Sequence, residues 1–334
     1  MPSTVTNETM TKHLRYVLFP GIATVMLNAV APATWAQGYP TRPIRLIVPY
    51  PPGGAADNTA RILWPRIAEV FGQQIVIDNR SGASGIIGAD IVAKSTPDGY
   101  TLLHDASAFV VNLVLRKLPF DPLRDLIPVA MLMRTPNMLV VHPSVPVTTA
   151  HDLIDLAKAQ PGRITFASSG FGSAPHMAGE LFQYVTKVSL LHVPYKGGGL
   201  AYVDLLGGQV QLFFGSIASA LPHVQAGKLK GIALTAAKRS PSAPQIPTLA
   251  ESGVQGVEVY EWNALYVPAG TAPAIIARLN SVMNKMLETP DVQQRFFQLG
   301  TEATPVTPAE LGRYVRGEIA RWSKTVKEMG IKGE

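Results

Sequence analysis

The chain has 334 residues, 47% of them hydrophobic and only 16% charged, with a formal net charge of +6 and no cysteine. That hydrophobic share fills more than one small core and excludes a disordered chain, which needs low hydrophobicity and high net charge. The missing cysteines exclude disulfides, zinc–thiolate centres and thiol nucleophiles, and the scattered Lys and Arg, with no basic run, give no ground for a nucleic-acid partner.

Lys12, His13 and Arg15 precede an apolar stretch from Tyr16 to Val30, and small residues follow up to Thr34-Trp35-Ala36. This is the charged, apolar, small-residue order of a secretory signal. Residues 1–36 are expected to be a signal peptide cleaved after Ala36, with Ala33 as a second candidate. No Cys follows, so no lipid anchor is expected, and no later stretch is long and apolar enough to span a membrane.

Ile44-Arg45-Leu46-Ile47-Val48 reads as a buried strand, ended by Pro49-Tyr50-Pro51-Pro52-Gly53-Gly54, where prolines cannot continue a ladder. A helix is expected over 55–71, with Ile62, Leu63, Ile67 and Val70 on one face and Gly72 as its C-cap. Strand 74–78, a Gly-rich loop 81–88, a helix to Lys94 and strand 100–103 continue the alternation of a parallel, doubly wound sheet. Asn137 to Val141 reads as a strand leaving this unit. Then come helix 149–159, strand 164–167, helix 175–186, strand 190–193, a helix ending at Gly207, strand 210–214, helix 217–226 and strand 231–235. Val257 to Trp262 reads as a return crossing, and helices near 273–288, 290–299 and 308–328 close the chain. Too few strands remain there for another sheet, so the C-terminal part is expected to pack back on the first unit. The result is an α/β chain in two lobes: 37–139 plus 261–334, and 140–260, with a cleft and two crossover segments between them.

Several strands end in a charge-poor Gly/Ser/Pro loop that opens a helix, most clearly Tyr50–Asp57, Ser168–His176 and Tyr195–Gly199. The first N–H groups of a helix lack intrahelical partners and carry the positive end of its dipole, so such loops hold an anion without a buried cation. The candidate ligand contacts are Tyr50, Pro51, Pro52, Gly53, Gly54, Ala55 and Asp57 in the first loop, and Ser107 after the third strand. The later loops add Ser168, Ser169, Gly170, Gly172, His176, Tyr195, Lys196, Gly197, Gly215 and Ser216. Asp57 is equally suited to capping its helix, and Trp262 to packing at the hinge or stacking on a ligand.

Enzyme motifs are missing. Gly170-Phe171-Gly172-Ser173 is not a G-x-S-x-G elbow, Gly82 to Gly88 lacks the G-x-G-x-x-G spacing, and neither a complete phosphate loop nor H-E-x-x-H occurs. No clustered acid pair suggests acid–base work, and His142, His192 and His223 lie beside apolar runs as structural residues. No catalytic residue, metal or cofactor is expected.

Tyr39-Pro40-Thr41-Arg42-Pro43-Ile44 and Pro49 to Gly54 resemble the start of the Bug family, the periplasmic receptors of tripartite tricarboxylate transporters. Asp78-Asn79-Arg80, Pro97-Asp98-Gly99-Tyr100-Thr101-Leu102, Ala167-Ser168-Ser169-Gly170, His192-Val193-Pro194-Tyr195-Lys196-Gly197, Leu205 to Val210, Ala220 to Val224, Pro247 to Gly253 and Pro268 to Thr271 extend the resemblance in order over nearly all of the mature chain. It implies a two-lobed Venus flytrap of the type II periplasmic binding class, each lobe a mostly parallel sheet flanked by helices. It also implies a monomer, located in the periplasm, that passes a small carboxylate to large and small membrane transporter subunits. Family ligands are di- and tricarboxylates, acidic amino acids, and aromatic or nicotinic acids, held through loop backbone groups and ordered water at positions matching Pro51–Ala55 and Ser168–Gly172. Many relatives carry an acid after the strand matching Leu212-Phe213-Phe214, where this chain has Gly215-Ser216. An amine-free organic acid, aromatic acids included, is therefore expected. A signalling receptor with the same cleft is the competing reading, and an exported hydrolase or isomerase a more distant one.

Overall fold

The β-branched run Ile44–Val48 forms β1, which stops where Pro49 withdraws its ladder donor. The computed structural model describes residues 38–331; the signal segment and its cleavage site lie outside the described residues. After β1 come α1 (Ala55–Phe71), β2 (Ile75–Asn79), a short 3₁₀ turn at Ala83–Gly85, α2 (Ile86–Ala93), β3 (Thr101–Ala106), α3 (Ala108–Leu115), the single turn α4 (Pro122–Asp125) and the long β4 (Leu126–Val141). There follow α5 (Ala150–Ala159), β5 (Thr165–Ser168), α6 (Ala174–Thr186), β6 (Leu191–Pro194), α7 (Gly198–Leu206), β7 (Leu212–Ser216), α8 (Ile217–Gln225) and β8 (Lys230–Leu234). β9 (Tyr260–Pro268), α9 (Pro273–Leu287), α10 (Pro290–Gln298), β10 (Glu302–Ala303) and α11 (Pro308–Met329) complete the order.

In the first sheet β1 lies between β2 and β3, all parallel. In the second, β5 lies between β6 and β7, again parallel. The connecting strands run the other way. β9 pairs antiparallel with β3 and with Leu126–Pro136 of β4, while Asn137–Val141 of β4 pair antiparallel with β7, and β8 pairs antiparallel with Met138–Val141. Both sheets are therefore mixed, and they meet in one strand that changes partners between Pro136 and Asn137.

The core follows the same plan. α1, α9 and α10 cover the first sheet through Leu63, Trp64, Leu279 and Phe296, and α7 and α8 cover the second through Leu205 and Ile217. A third cluster runs across both, joining Ile47 and Leu103 to Phe166 and Phe214 beneath α2, α3, α5, α6 and α11. Each fully buried Leu, Ile or Phe contributes about 1.5–3 kcal/mol relative to an exposed one.

The predicted elements occur with small shifts at their ends. α3, α4, β10 and the first part of β4 were not among them. α3 (AFVVNLVL) is almost wholly apolar and buried, so it offers no helical period to read. The first part of β4 contains Pro128 and Pro136, which argue against a strand; register irregularities between Pro128 and Met133 and the change of partners after Pro136 accommodate them. Among the described residues no helix is long and apolar enough to cross a membrane.

Candidate functional site

A cavity of about 270 Å³ lies where the strand ends of both sheets face each other. This is just below the ~300–1,000 Å³ usual for ligand pockets. The N-cap residues of α1, α3, α6, α7 and α8, namely Gly54, Ser107, Ser173, Gly197 and Ser216, all line it. Only Ser173 turns its side chain back to cap its own helix, accepting from His176 N–H. The remaining helix starts have no side-chain cap, and they open on the same cavity.

The first loop is held from behind. Asp57 is buried, and its carboxylate accepts from Gly53 N–H (3.0 Å), Arg61 Nε (2.8 Å) and Asn79 Nδ2 (3.0 Å). Burial pushes this carboxyl up, but the hydrogen bonds from Arg61, Gly53 and Asn79 outweigh it and leave it below the ordinary carboxylate range. Asp57 does not line the cavity; it shapes the Pro51–Gly54 turn that does. Tyr50 stands on the wall with its hydroxyl donating to Asp105 (2.7 Å), which also accepts from Ala106 N–H (2.7 Å). Burial pushes Asp105 up to about 7.

The second sheet contributes in the same manner. Ser169, Lys196 and Gly197 reach the cavity, whereas Ser168, Gly170, Gly172, His176 and Tyr195 stand behind it. Ser168 Oγ accepts from Gly170 N–H (3.1 Å) and lies 2.7 Å from His192 Nε2. His176 Nδ1 accepts from Gly172 N–H (3.2 Å), and its ring packs against Phe171 and His192. Burial, helped by the neighbouring His192, lowers His176 to about 3, and burial lowers His192 to about 4, so both rings are neutral supports of the loop. The Tyr195 hydroxyl donates to Asp204 (2.7 Å). Gly215 does not line the cavity either: a Cβ there would run into the Tyr202 hydroxyl, so glycine is a packing requirement.

The first and second sheets' loops touch beside the cavity. Ser84 Oγ donates to the Phe171 carbonyl (2.8 Å), and a Cβ on Gly197 would lie 3.4 Å from the Pro51 ring; on the first side Asn112 Nδ2 holds the Ser84 carbonyl (2.8 Å). Ser84 has a left-handed φ of 53°, rare for a non-glycine residue.

Of the expected contacts, Tyr50, Pro51, Pro52, Gly53, Gly54, Ala55, Ser107, Ser169, Lys196, Gly197 and Ser216 line the cavity. Asp57, Ser168, Gly170, Gly172, His176, Tyr195, Gly215 and Trp262 do not. Sequence reasoning missed Ser84, Ser173, Tyr202, Phe213, Ser219 and Glu261. Glu261 and Trp262 are consecutive on β9, so they point to opposite faces. Glu261 faces the cavity, while Trp262 is fully buried against Tyr314 of α11. Alternation marks one of the two as a site residue, and the acid is that one. The cavity thus has an acid, supplied by β9 rather than by the end of β7.

The family model of the tripartite tricarboxylate transporter family receptor matches residues 59–331. The chain belongs to this family, whose members are substrate-binding receptors and not enzymes. It is 39% identical over 315 residues to protein BugT of Bordetella pertussis, covering 93% of this chain and 96% of that one. Among solved structures, R. palustris Rpa4515 with adipate is 38% identical with a TM-score of 0.86, covering 89% of this chain and all (100%) of that chain. MatC from Rhodopseudomonas palustris with bound malate is 32% identical with a TM-score of 0.81, covering 86% and 100%. The fold is accordingly that of the two-lobed periplasmic binding proteins.

Proposed function

We propose that this protein captures a small organic carboxylate, a di- or tricarboxylate or an aromatic acid, and delivers it to the large and small membrane subunits of a tripartite tricarboxylate-type transporter. The observation that carries this reading is the convergence of the helix starts of α1, α3, α6, α7 and α8 on one small cavity whose lining contains a single cationic side chain, the exposed Lys196. Main-chain donors and helix dipoles satisfy an anion there without a buried ion pair. The adipate and malate held by the similar structures support the ligand class.

In this reading residues 37–139 with 261–334, and 140–260, are lobes that close on the ligand about the strand crossings. Residues 1–36 are the export signal, and the mature protein works in the periplasm. Tyr50, the turn from Pro51 to Ala55, Ser107, Ser169, Lys196, Gly197 and Ser216 contact the ligand. Asp57, Ser168 and His176 hold the contacting loops.

A thermal-shift screen of the purified mature protein across organic acids tests this. A ligand present at 100 times its Kd adds about 2.7 kcal/mol and raises Tm by several degrees. No shift with any carboxylate overturns the reading. Gly54→Leu tests the first loop. Gly54 has an ordinary φ of −78°, and a Cβ there meets only the Pro51 carbonyl at 3.6 Å. The variant is expected to fold with an unchanged Tm and to lose at least tenfold in affinity by calorimetry.

A further inference from the structure

We infer that one wall of the cavity, built from Glu261 and Ser216, is an acceptor subsite for the cationic nitrogen of an amino-bearing carboxylate. The inference rests on the reading above and adds the second group of the ligand. Glu261 pairs through its backbone with Thr135 and Ser216 with Asn137, residues two apart on β4, so the two side chains flank one strand and line the same cavity. Among the described residues the Glu261 carboxyl has no hydrogen-bond or ion-pair partner. Ser216 Oγ is buried and equally without a partner.

The groups around Glu261 cannot serve it. The Tyr50 hydroxyl is committed to Asp105 and the Tyr202 hydroxyl to the Ser216 carbonyl. Both phenols are pushed well above their ordinary value, first by burial and then by neighbouring carboxylates, and stay neutral. Lys196 is the cation of the lining, but it stands exposed on the β6–α7 loop and forms no ion pair with Glu261. Burial alone pushes Glu261 up to about 7.

A half-buried, unpartnered carboxyl and an idle buried hydroxyl are acceptors, and an ammonium brings three N–H donors with a matching charge. A second ligand carboxylate at this wall would instead face Glu261 with Asp105 close behind Tyr50, and like charges at short range disfavour ionisation of both. The ligand carboxylate is thus assigned to the helix starts, and the nitrogen to the wall between β9 and β7. Binding such a nitrogen holds Glu261 ionised and releases its proton, so affinity falls as pH drops from 8 to 6.

Matched pairs test this in calorimetry on the mature protein: adipate against 6-aminohexanoate, succinate against 4-aminobutanoate, malate against aspartate. In at least one pair the amino member is expected to bind at least tenfold more tightly. Glu261→Gln should remove that advantage, costing the amino member tenfold or more while leaving or improving the diacid. Ser216→Ala should cost the amino member several-fold more than it costs the diacid, and it carries the test if Glu261→Gln fails to fold. Preference for the diacid in every pair, or variants that weaken both members equally, overturns the subsite and leaves the receptor reading standing. Binding of neither member of any pair to wild-type protein overturns the subsite, and the receptor reading falls with it only when the thermal-shift screen is blank for every carboxylate.

Discussion

An unpartnered, half-buried carboxyl also affects the protein before any ligand arrives. Glu261 ionises near 4.5 in an unfolded chain and near about 7 in the folded one. The folded state therefore holds the proton longer, and stability falls as pH rises from about 4.5 through about 7. Glu261→Gln removes this loss. In ligand-free protein its Tm should match wild type near pH 4 and exceed it by a few degrees above pH 7; equal melting curves at both pH values would count against the burial of this group. At the residue scale the sequence is legible where chemistry is local. Pro49–Gly54 and the glycines and serines that open α7 and α8 announce their turns whatever surrounds them. Glu261, Tyr202 and Ser84 were not legible. Strand parity decides which of Glu261 and Trp262 faces the cavity, and Tyr202 and Ser84 reach it only because distant segments fold beside them.

Among elements, helix starts separate into two kinds. α5 and α11 begin with full capping boxes, Thr149 with Asp152 and Thr307 with Glu310, at starts that lie away from the cavity. Helices that open onto the cavity lack such caps, Ser173 of α6 excepted. Thr149→Ala should accordingly cost about 1 kcal/mol in urea unfolding, the usual value for a lost N-cap, and leave ligand affinity unchanged. A change in affinity would mean that α5 communicates with the site. Helix periods and strand runs read well from sequence because amphipathic faces repeat. β4 read poorly because its prolines sit at irregular pairings, and α3 because it is buried on all sides; both are placed by the sheets and by α11 rather than by their own pattern.

On the scale of the whole molecule, one core cluster spans both sheets while the cavity opens between their strand ends. Two lobes were foreseeable from the repeated strand–loop–helix order and the single return crossing. Their shared strand and shared core were not, since both depend on which edges meet in space. The bridge from Ser84 to the Phe171 carbonyl has a kinetic meaning. In the proposed receptor, breaking that bridge and parting the Gly197 turn from Pro51 is expected to speed escape of a bound molecule. Ser84→Gly keeps a backbone suited to φ 53° and deletes only the latch. Stopped-flow measurement should show dissociation several-fold faster with the association rate little changed, shortening the residence time.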